Sequence, residues 1–342
     1  MSDPIRVGVV GAGAFASRRH LPDFVDHEDV ALVALCRRNE AELNKIADHF
    51  EVDGRYTDYD AMLAQADLDA ILVATPHALH YEQTKLALEH DLHVLLEKPM
   101  TLYTSEAEEL ADLAAKRKRV LTVAVNPPFW RHTHYLRNVI AAGEIGDLEA
   151  ISLQWLGNAE YVFGRAPMPE QMPGIVKPTL YRGDPELSGG GYLIDGGAHQ
   201  ISELLWVTQL APLSVSCRMD DPVIDMRVAV EIMLEGNVPV GVVALADSAH
   251  PDRRILNLYY GSQGAIRVEG MPFRITVEKI GEAPVVVEES ELSDVLSPVA
   301  YFVSVIQGAE DTLAPPEHGV DVVRVIDGAY QSARDGQRVD LV

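Results

Sequence analysis

A continuous apolar run, Ile5–Val10, passes without a break into Gly11-Ala12-Gly13-Ala14-Phe15-Ala16. An unbroken run of this kind suits a strand covered on both faces, and such strands belong to parallel sheets flanked by helices. The glycines fit G-x-G-x-x-G/A at the opening of a helix. Gly11 allows the tight turn, Gly13 lets a ligand approach the backbone, and Ala16 permits close helix–strand packing. A helix beginning there presents open N–H groups and the positive end of its dipole to a pyrophosphate. Gly11, Gly13, Ala14, Phe15 and Ala16 are therefore the expected first contacts of a dinucleotide. The competing reading is a glycine-rich turn that holds no ligand.

The same strand–helix rhythm continues to about residue 124. Strands are expected at Val30–Cys36, Ala70–Ala74, Leu92–Leu96 and Val120–Val125, with helices from Phe15, over Glu40–Phe50, over Leu79–Glu89 and over Ser105–Lys118. With right-handed crossovers this is a doubly wound parallel sheet. Beyond it the rhythm changes. A helix over Tyr135–Ala142 ends at Gly143, and a strand at Leu148–Leu156 leads into a Pro/Gly-rich stretch, Gly157–Gly190, too long for a plain connector. Met168, Met172 and the nearby prolines read as loop packing. After a helix over Gly191–Thr208 come strand-like segments at 213–219, 226–234, 238–247, 254–260, 264–269 and 273–279, which suggest a mainly antiparallel sheet. Helices over 294–308 and 319–335 finish the chain. At 342 residues about two domains are expected, and they divide here into 1–125 and 126–342. The fold class is α/β.

Charge narrows the partners. Lys plus Arg is 28 and Asp plus Glu is 52, so the net charge is 28 − 52 = −24. That surface repels nucleic-acid phosphates and anionic lipid. Two cysteines, Cys36 and Cys217, cannot frame a chain this long. No basic-then-apolar leader opens it, and no apolar run is long enough to cross a bilayer, so a cytoplasmic protein is expected.

The second strand ends at Cys36-Arg37-Arg38, where an NAD site usually carries a carboxylate for the ribose 2′-hydroxyl. Two guanidiniums suit a 2′-phosphate instead, and NADP is expected over NAD. Arg37 stacked on adenine, or both arginines in solvent, would be the uninformative outcome. Glu97-Lys98-Pro99 follows the fifth strand at the carboxyl edge of the sheet, and a lysine there can polarise a substrate oxygen. Farther on, Gly189-Gly190-Gly191 precedes Asp195 and His199, four apart and so on one helix face. A histidine near neutral pKa can take a hydroxyl proton as hydride leaves carbon. A capping aspartate and a satisfied core histidine explain that pair equally well.

Taken together, the glycine motif, Thr75-Pro76-His77 with His80, Glu97-Lys98-Pro99, the Gly-Gly-Gly…Asp195…His199 cluster and the closing Tyr330-Gln-Ser-Ala-Arg-Asp-Gly336 resemble the Gfo/Idh/MocA oxidoreductases over nearly the whole chain. The resemblance implies a Rossmann domain followed by an α/β domain with a large open sheet that commonly forms the interface of a homodimer or homotetramer. It implies a sugar or polyol substrate, with Lys98 and His199 catalytic and Asp195 contributing to binding or catalysis. Thr75, Pro76, His77, His80 and Glu97 would line the cofactor with Cys36, Arg37, Arg38 and Lys98, and Lys98–Pro99 would be cis. One departure stands out. Members often read Asn-Arg-Arg-Phe or Tyr-Arg after the sixth strand, where this chain has Asn126-Pro127-Pro128-Phe129-Trp130-Arg131. The arginine or tyrosine contacts expected there are missing or displaced to Arg131; Asn126 is a further substrate-binding candidate, as is Arg182 unless it only pairs with Asp184. Neither His77 with His80 nor His132 with His134 gathers a metal-ligand set, so no metal is expected. A non-catalytic dinucleotide sensor and a cofactor-recycling sugar lyase or glycosidase of the same fold are the alternative functions.

Overall fold

The computed structural model describes residues 3–170, 174–250 and 252–341; Met172 lies outside them. Along the chain come β1 (Ile5–Val10), α1 (Ala14–Val25), β2 (Val30–Cys36), α2 (Glu40–His49), β3 (Gly54–Tyr56), α3 (Tyr59–Gln65), β4 (Ala70–Val73), α4 (His80–Glu89), β5 (His93–Leu96), α5 (Thr104–Arg117) and β6 (Leu121–Val123). Then follow α6 (Arg131–Ala141), β7 (Leu148–Leu156), α7 (Pro185–Ser188), α8 (Ala198–Thr208), β8 (Pro212–Met219), β9 (Arg227–Leu234), β10 (Val238–Leu245), β11 (Arg254–Gly261), β12 (Gly264–Gly270), β13 (Arg274–Lys279), β14 (Val285–Glu288), α9 (Pro298–Ile306), α10 (Pro316–Asp335) and β15 (Val339–Asp340).

The chain forms two compact units. The first comprises 1–124, 167–188 and 296–320; the second comprises 125–166, 189–295 and 321–342. The sheet of the first unit runs β3-β2-β1-β4-β5-β6, all parallel, and its strand order reverses between β1 and β4. Val7, Val9, Leu35, Ala70 and Leu72 are fully buried in it, as helices on both faces require. α1, α2 and the later helix α9 supply Leu21, Phe24, Ile46, Val299 and Phe302 to one core. β3 and α3 were not among the expected elements. β3 is a three-residue edge strand, and its Gly54 passes so close to β2 that a Cβ would stand 2.3 Å from the Val33 carbonyl oxygen.

In the second unit nine strands run β14-β13-β12-β11-β7-β10-β9-β8-β15. Every pairing is antiparallel except that of β7 with β10. β9 and β10 alternate buried with exposed residues, so one face is packed and the other open. α8 is buried almost throughout, from Gln200 to Thr208, and its Glu203 reaches the sheet at Asn257 and Tyr259. β14 and β15 are edge strands of four and two residues, and neither appeared in the sequence reading. Among the described residues no helix is long and apolar enough to cross a membrane.

Candidate active site

The glycine turn lies at the carboxyl edge of the parallel sheet, beside the strand-order reversal. Gly11 sits at φ +83°, and a Cβ there would meet the carbonyl carbon and oxygen of Ala74 at 2.5 Å. Only glycine fits that close turn. Gly13 then caps α1 with no side-chain hydrogen bond, and the first turn of α1 carries no acidic residue. Ala16 is buried against the core. Open N–H groups, a positive helix end and a glycine-lined approach make a cradle that fits a dinucleotide pyrophosphate.

At the end of β2, Cys36 is buried and its carbonyl accepts from Gly11 and Ala12 N–H. Burial pushes its thiol up to about 11, which suits packing and not nucleophilic chemistry. Arg37 does not extend into solvent. Its Nε and Nη2 donate to the Glu42 carboxylate and its Nη1 donates to the Ala12 carbonyl. Arg38 is exposed. Sequence reasoning did not anticipate Glu42, because a partner five residues away across a strand-to-helix turn leaves no periodic signal.

The loops after β4 and β5 form the neighbouring wall. Thr75 Oγ1 donates to Gln83 Oε1 at 2.6 Å, and Pro76 leads into a short turn over His77–Leu79. His77 Nδ1 lies 2.9 Å from the Ser188 carbonyl, and its ring meets Tyr181 edge-on at 5.2 Å. Arg182 stacks over the Tyr181 ring at 4.7 Å, so it belongs to this wall. Asp184 Oδ1 accepts from the Glu186 N–H.

His80 is fully buried. Nδ1 lies 2.7 Å from the Pro99 carbonyl and Nε2 lies 3.0 Å from the Thr75 carbonyl, so the ring ties the two loops together. Burial, the largest influence, lowers its pKa, while the two carbonyls and Glu97 oppose that shift. Glu97 Oε1 lies 2.6 Å from His20 Nε2 on α1, and its Oε2 accepts from the Lys98 N–H at 3.2 Å. His20 is a second residue that pattern reading missed, being 77 positions from its partner. The Lys98–Pro99 bond is cis.

The second unit carries Asp195 and His199 at the entry to α8. Leu193–Gly197 forms a π-helical turn that continues into α8, a local form that recurs at functional sites. The glycines before it are dictated by packing. A Cβ on Gly190 would stand 2.2 Å from Tyr330 Oη, and one on Gly191 would stand 2.1 Å from the Asp225 carbonyl oxygen. The buried Asp225 carboxylate accepts from Gly191 N–H, Leu193 N–H and Tyr330 O–H at 3.0, 2.7 and 2.6 Å. Burial raises its pKa against those donors. Asp225 and Tyr330 thus hold the segment that presents Asp195 and His199, both half-buried.

Around His199 stands a wall of rings. Trp130 lies 5.9 Å away and Trp155 6.4 Å, while His132 stacks on Phe273 at 3.6 Å. Asn126 opens the turn over Pro127–Phe129 that delivers Trp130 to this wall. Arg131 turns elsewhere, forming an exposed ion pair with Asp294. Within the first unit, then, the structure gathers Thr75, His77, His80, Glu97, Lys98 and Arg182. Within the second it gathers Asp195, His199 and Trp130.

Two family models match the chain: "Oxidoreductase family, NAD-binding Rossmann fold" over residues 5–125, and "GFO/IDH/MocA C-terminal domain" over residues 133–267. Among curated proteins, the D-glucoside 3-dehydrogenase of Escherichia coli strain K12 is 26% identical, covering 99% of this chain and 98% of that protein. The D-xylose 1-dehydrogenase (NADP(+)) 2 of Haloferax volcanii is 24% identical, covering 98% and 99%. A crystal structure of an inositol dehydrogenase homolog from Azotobacter vinelandii, complexed with NADH and myo-inositol, matches with a TM-score of 0.80 at 22% identity, covering 99% of this chain and 98% of that one.

Proposed function

This chain belongs to the Gfo/Idh/MocA family of oxidoreductases, and from that premise we propose that it interconverts a secondary alcohol and a ketone, or oxidises an aldose at C1, on a sugar or polyol. The observation that carries this reading is the placement of Lys98 on the turn after β5. It lies at the carboxyl edge of the parallel sheet, in a loop fastened through Glu97 to His20 and through Pro99 to His80. The nicotinamide, held by the glycine turn and the loops after β4 and β5, would accept or return the hydride. NADP is the favoured cofactor, on the exposed Arg38 guanidinium just past the end of β2 and on the name of the Haloferax relative. The names of both full-length relatives support a sugar substrate, and the aromatic wall by His199 suits the apolar face of a sugar ring.

Each residue then has one task. The Lys98 ammonium stabilises the alkoxide that develops as hydride leaves, a preorganised charge of the kind worth about 2.7–4 kcal/mol where single donors have been removed. His199 takes the hydroxyl proton and returns it in the reverse direction. Asp195 positions a substrate hydroxyl or the imidazole. The enzyme works in the cytoplasm as a homodimer or homotetramer. Following absorbance at 340 nm with a panel of polyols, inositols and aldoses, each with NADP⁺ or NAD⁺, tests the class. Replacing Lys98→Met should lower turnover at least about 100-fold while cofactor binding, read by fluorescence titration, stays unchanged. Turnover at the wild-type level in that variant would remove Lys98 from the reaction.

A further inference from the structure

Arg37 looks from sequence like a phosphate-binding arginine, but its guanidinium is already engaged. Nε lies 3.0 Å from Glu42 Oε2, Nη2 shares the same oxygen, and Nη1 reaches the Ala12 carbonyl at 3.2 Å. The arginine side chain is only 13% exposed and the Glu42 side chain 29%. Gly13 makes room for this arrangement, since a Cβ there would stand 3.1 Å from Arg37 Nη1. Glu42 is itself held in place. It is the third residue of α2, and its N–H donates to the capping Asn39 Oδ1 at 3.0 Å. A carboxylate is therefore fixed beside the end of β2, where doubly wound folds take the adenosine ribose. It arrives from the following helix and not from the strand end.

Two consequences follow from charge and geometry. A guanidinium whose Nε and Nη2 both serve one carboxylate cannot offer that same fork to a phosphate. The carboxylate also repels a 2′-phosphate dianion brought to the same place, and it can accept from a ribose hydroxyl. We propose that Glu42 determines cofactor specificity: by holding Arg37 it restrains the preference for the 2′-phosphate that Arg37 and Arg38 would otherwise impose, and it keeps NAD⁺ an acceptable ligand. This rests on the reading of the first unit as a dinucleotide site.

Equilibrium titration of the full-length protein with NADP⁺ and with NAD⁺, without substrate, tests it by calorimetry or tryptophan fluorescence. Glu42→Gln keeps the helix N–H bond to Asn39 and removes the charge. Its NADP⁺ affinity should rise about tenfold or more while its NAD⁺ affinity changes by less than about threefold, as expected for one unit charge near a partly buried phosphate. Adding Arg37→Gln to Glu42→Gln should abolish the gain, because the released guanidinium is what binds. Equal shifts for both nucleotides, no shift, or a gain that survives Arg37→Gln would each overturn the assignment. Melting curves of both variants show that they fold. If the wild type binds neither nucleotide, the dinucleotide reading itself fails and this assignment with it; if the wild type binds both and the ratio does not move, only the role of Glu42 fails.

Discussion

Cys36 and Cys217 are both buried, and burial, the largest influence on each, pushes their thiols up to about 11 and about 12. Thiolates are then scarce at neutral pH, and access is blocked as well. Both should react with an aromatic disulfide reagent at pH 8 at least about 100 times more slowly than in denaturant; rapid labelling of the folded protein would contradict this. Cys36 stands at the buried end of β2, a place its sequence position at the close of an apolar run already indicated. The partner of the next residue was not indicated. Arg37 next to Arg38 in a chain of net charge −24 reads as an anion site, and that inference counts charges along the backbone. Glu42 enters only because the turn from β2 into α2 brings the first turn of the helix back over the arginine. The same limit applies to His20, since nothing in the spacing of α1 announces a carboxylate 77 residues away.

Among the elements, β5 and β6 show how a strand pair can depend on one ring. His93 begins β5, and its Nδ1 accepts the Val120 N–H at 2.9 Å. That bond requires a bare nitrogen. Burial first, then the nearby Arg119, lowers the His93 pKa to about 4, while Asp69 opposes the shift. The unfolded chain takes up this proton near pH 6.5, its ordinary value, whereas the folded chain resists until about pH 4. Between those values the unfolded state holds more protons, so the stability His93 contributes is present above pH 6.5 and is lost as the pH falls toward 4. Urea midpoints measured from pH 7.5 to 4.5 should decline. His93→Asn, which retains an acceptor oxygen and does not titrate, should decline less; parallel slopes would assign the loss to other groups. The long parallel strands were readable because burial on both faces leaves an unbroken apolar run. β3, β14 and β15 were not, because a few residues at an edge carry too little periodicity. The π-helical turn at Leu193–Gly197 also escaped: the glycines around it were visible, but their cause is contact with Asp225, Tyr330 and Tyr192.

For the whole molecule, 52 acidic side chains against 28 basic ones leave 24 carboxylates that no lysine or arginine can match. Their mutual repulsion opposes the compact state, and the Debye length falls from about 30 Å at 0.01 M salt to about 3 Å at 1 M. The melting temperature should therefore rise by about 2–5 °C between 20 mM and 500 mM sodium chloride; a fall would mean that the ion pairs outweigh the surplus charge. The long strands and helices to residue 124, the glycine turn and the alternating second sheet could be read directly from the chain. Each depends on interactions among near neighbours: dihedral limits at Gly11, the two-residue period of a half-covered strand, the 3.6-residue period of a helix. Folding alone decided that segments 167–188 and 296–320 join the first unit, that Asp225 holds the loop before His199, and that Glu42 occupies Arg37. Those outcomes pair groups across chain separations that carry no period, and only the packed backbone sets which polar groups come within hydrogen-bond reach once water is excluded.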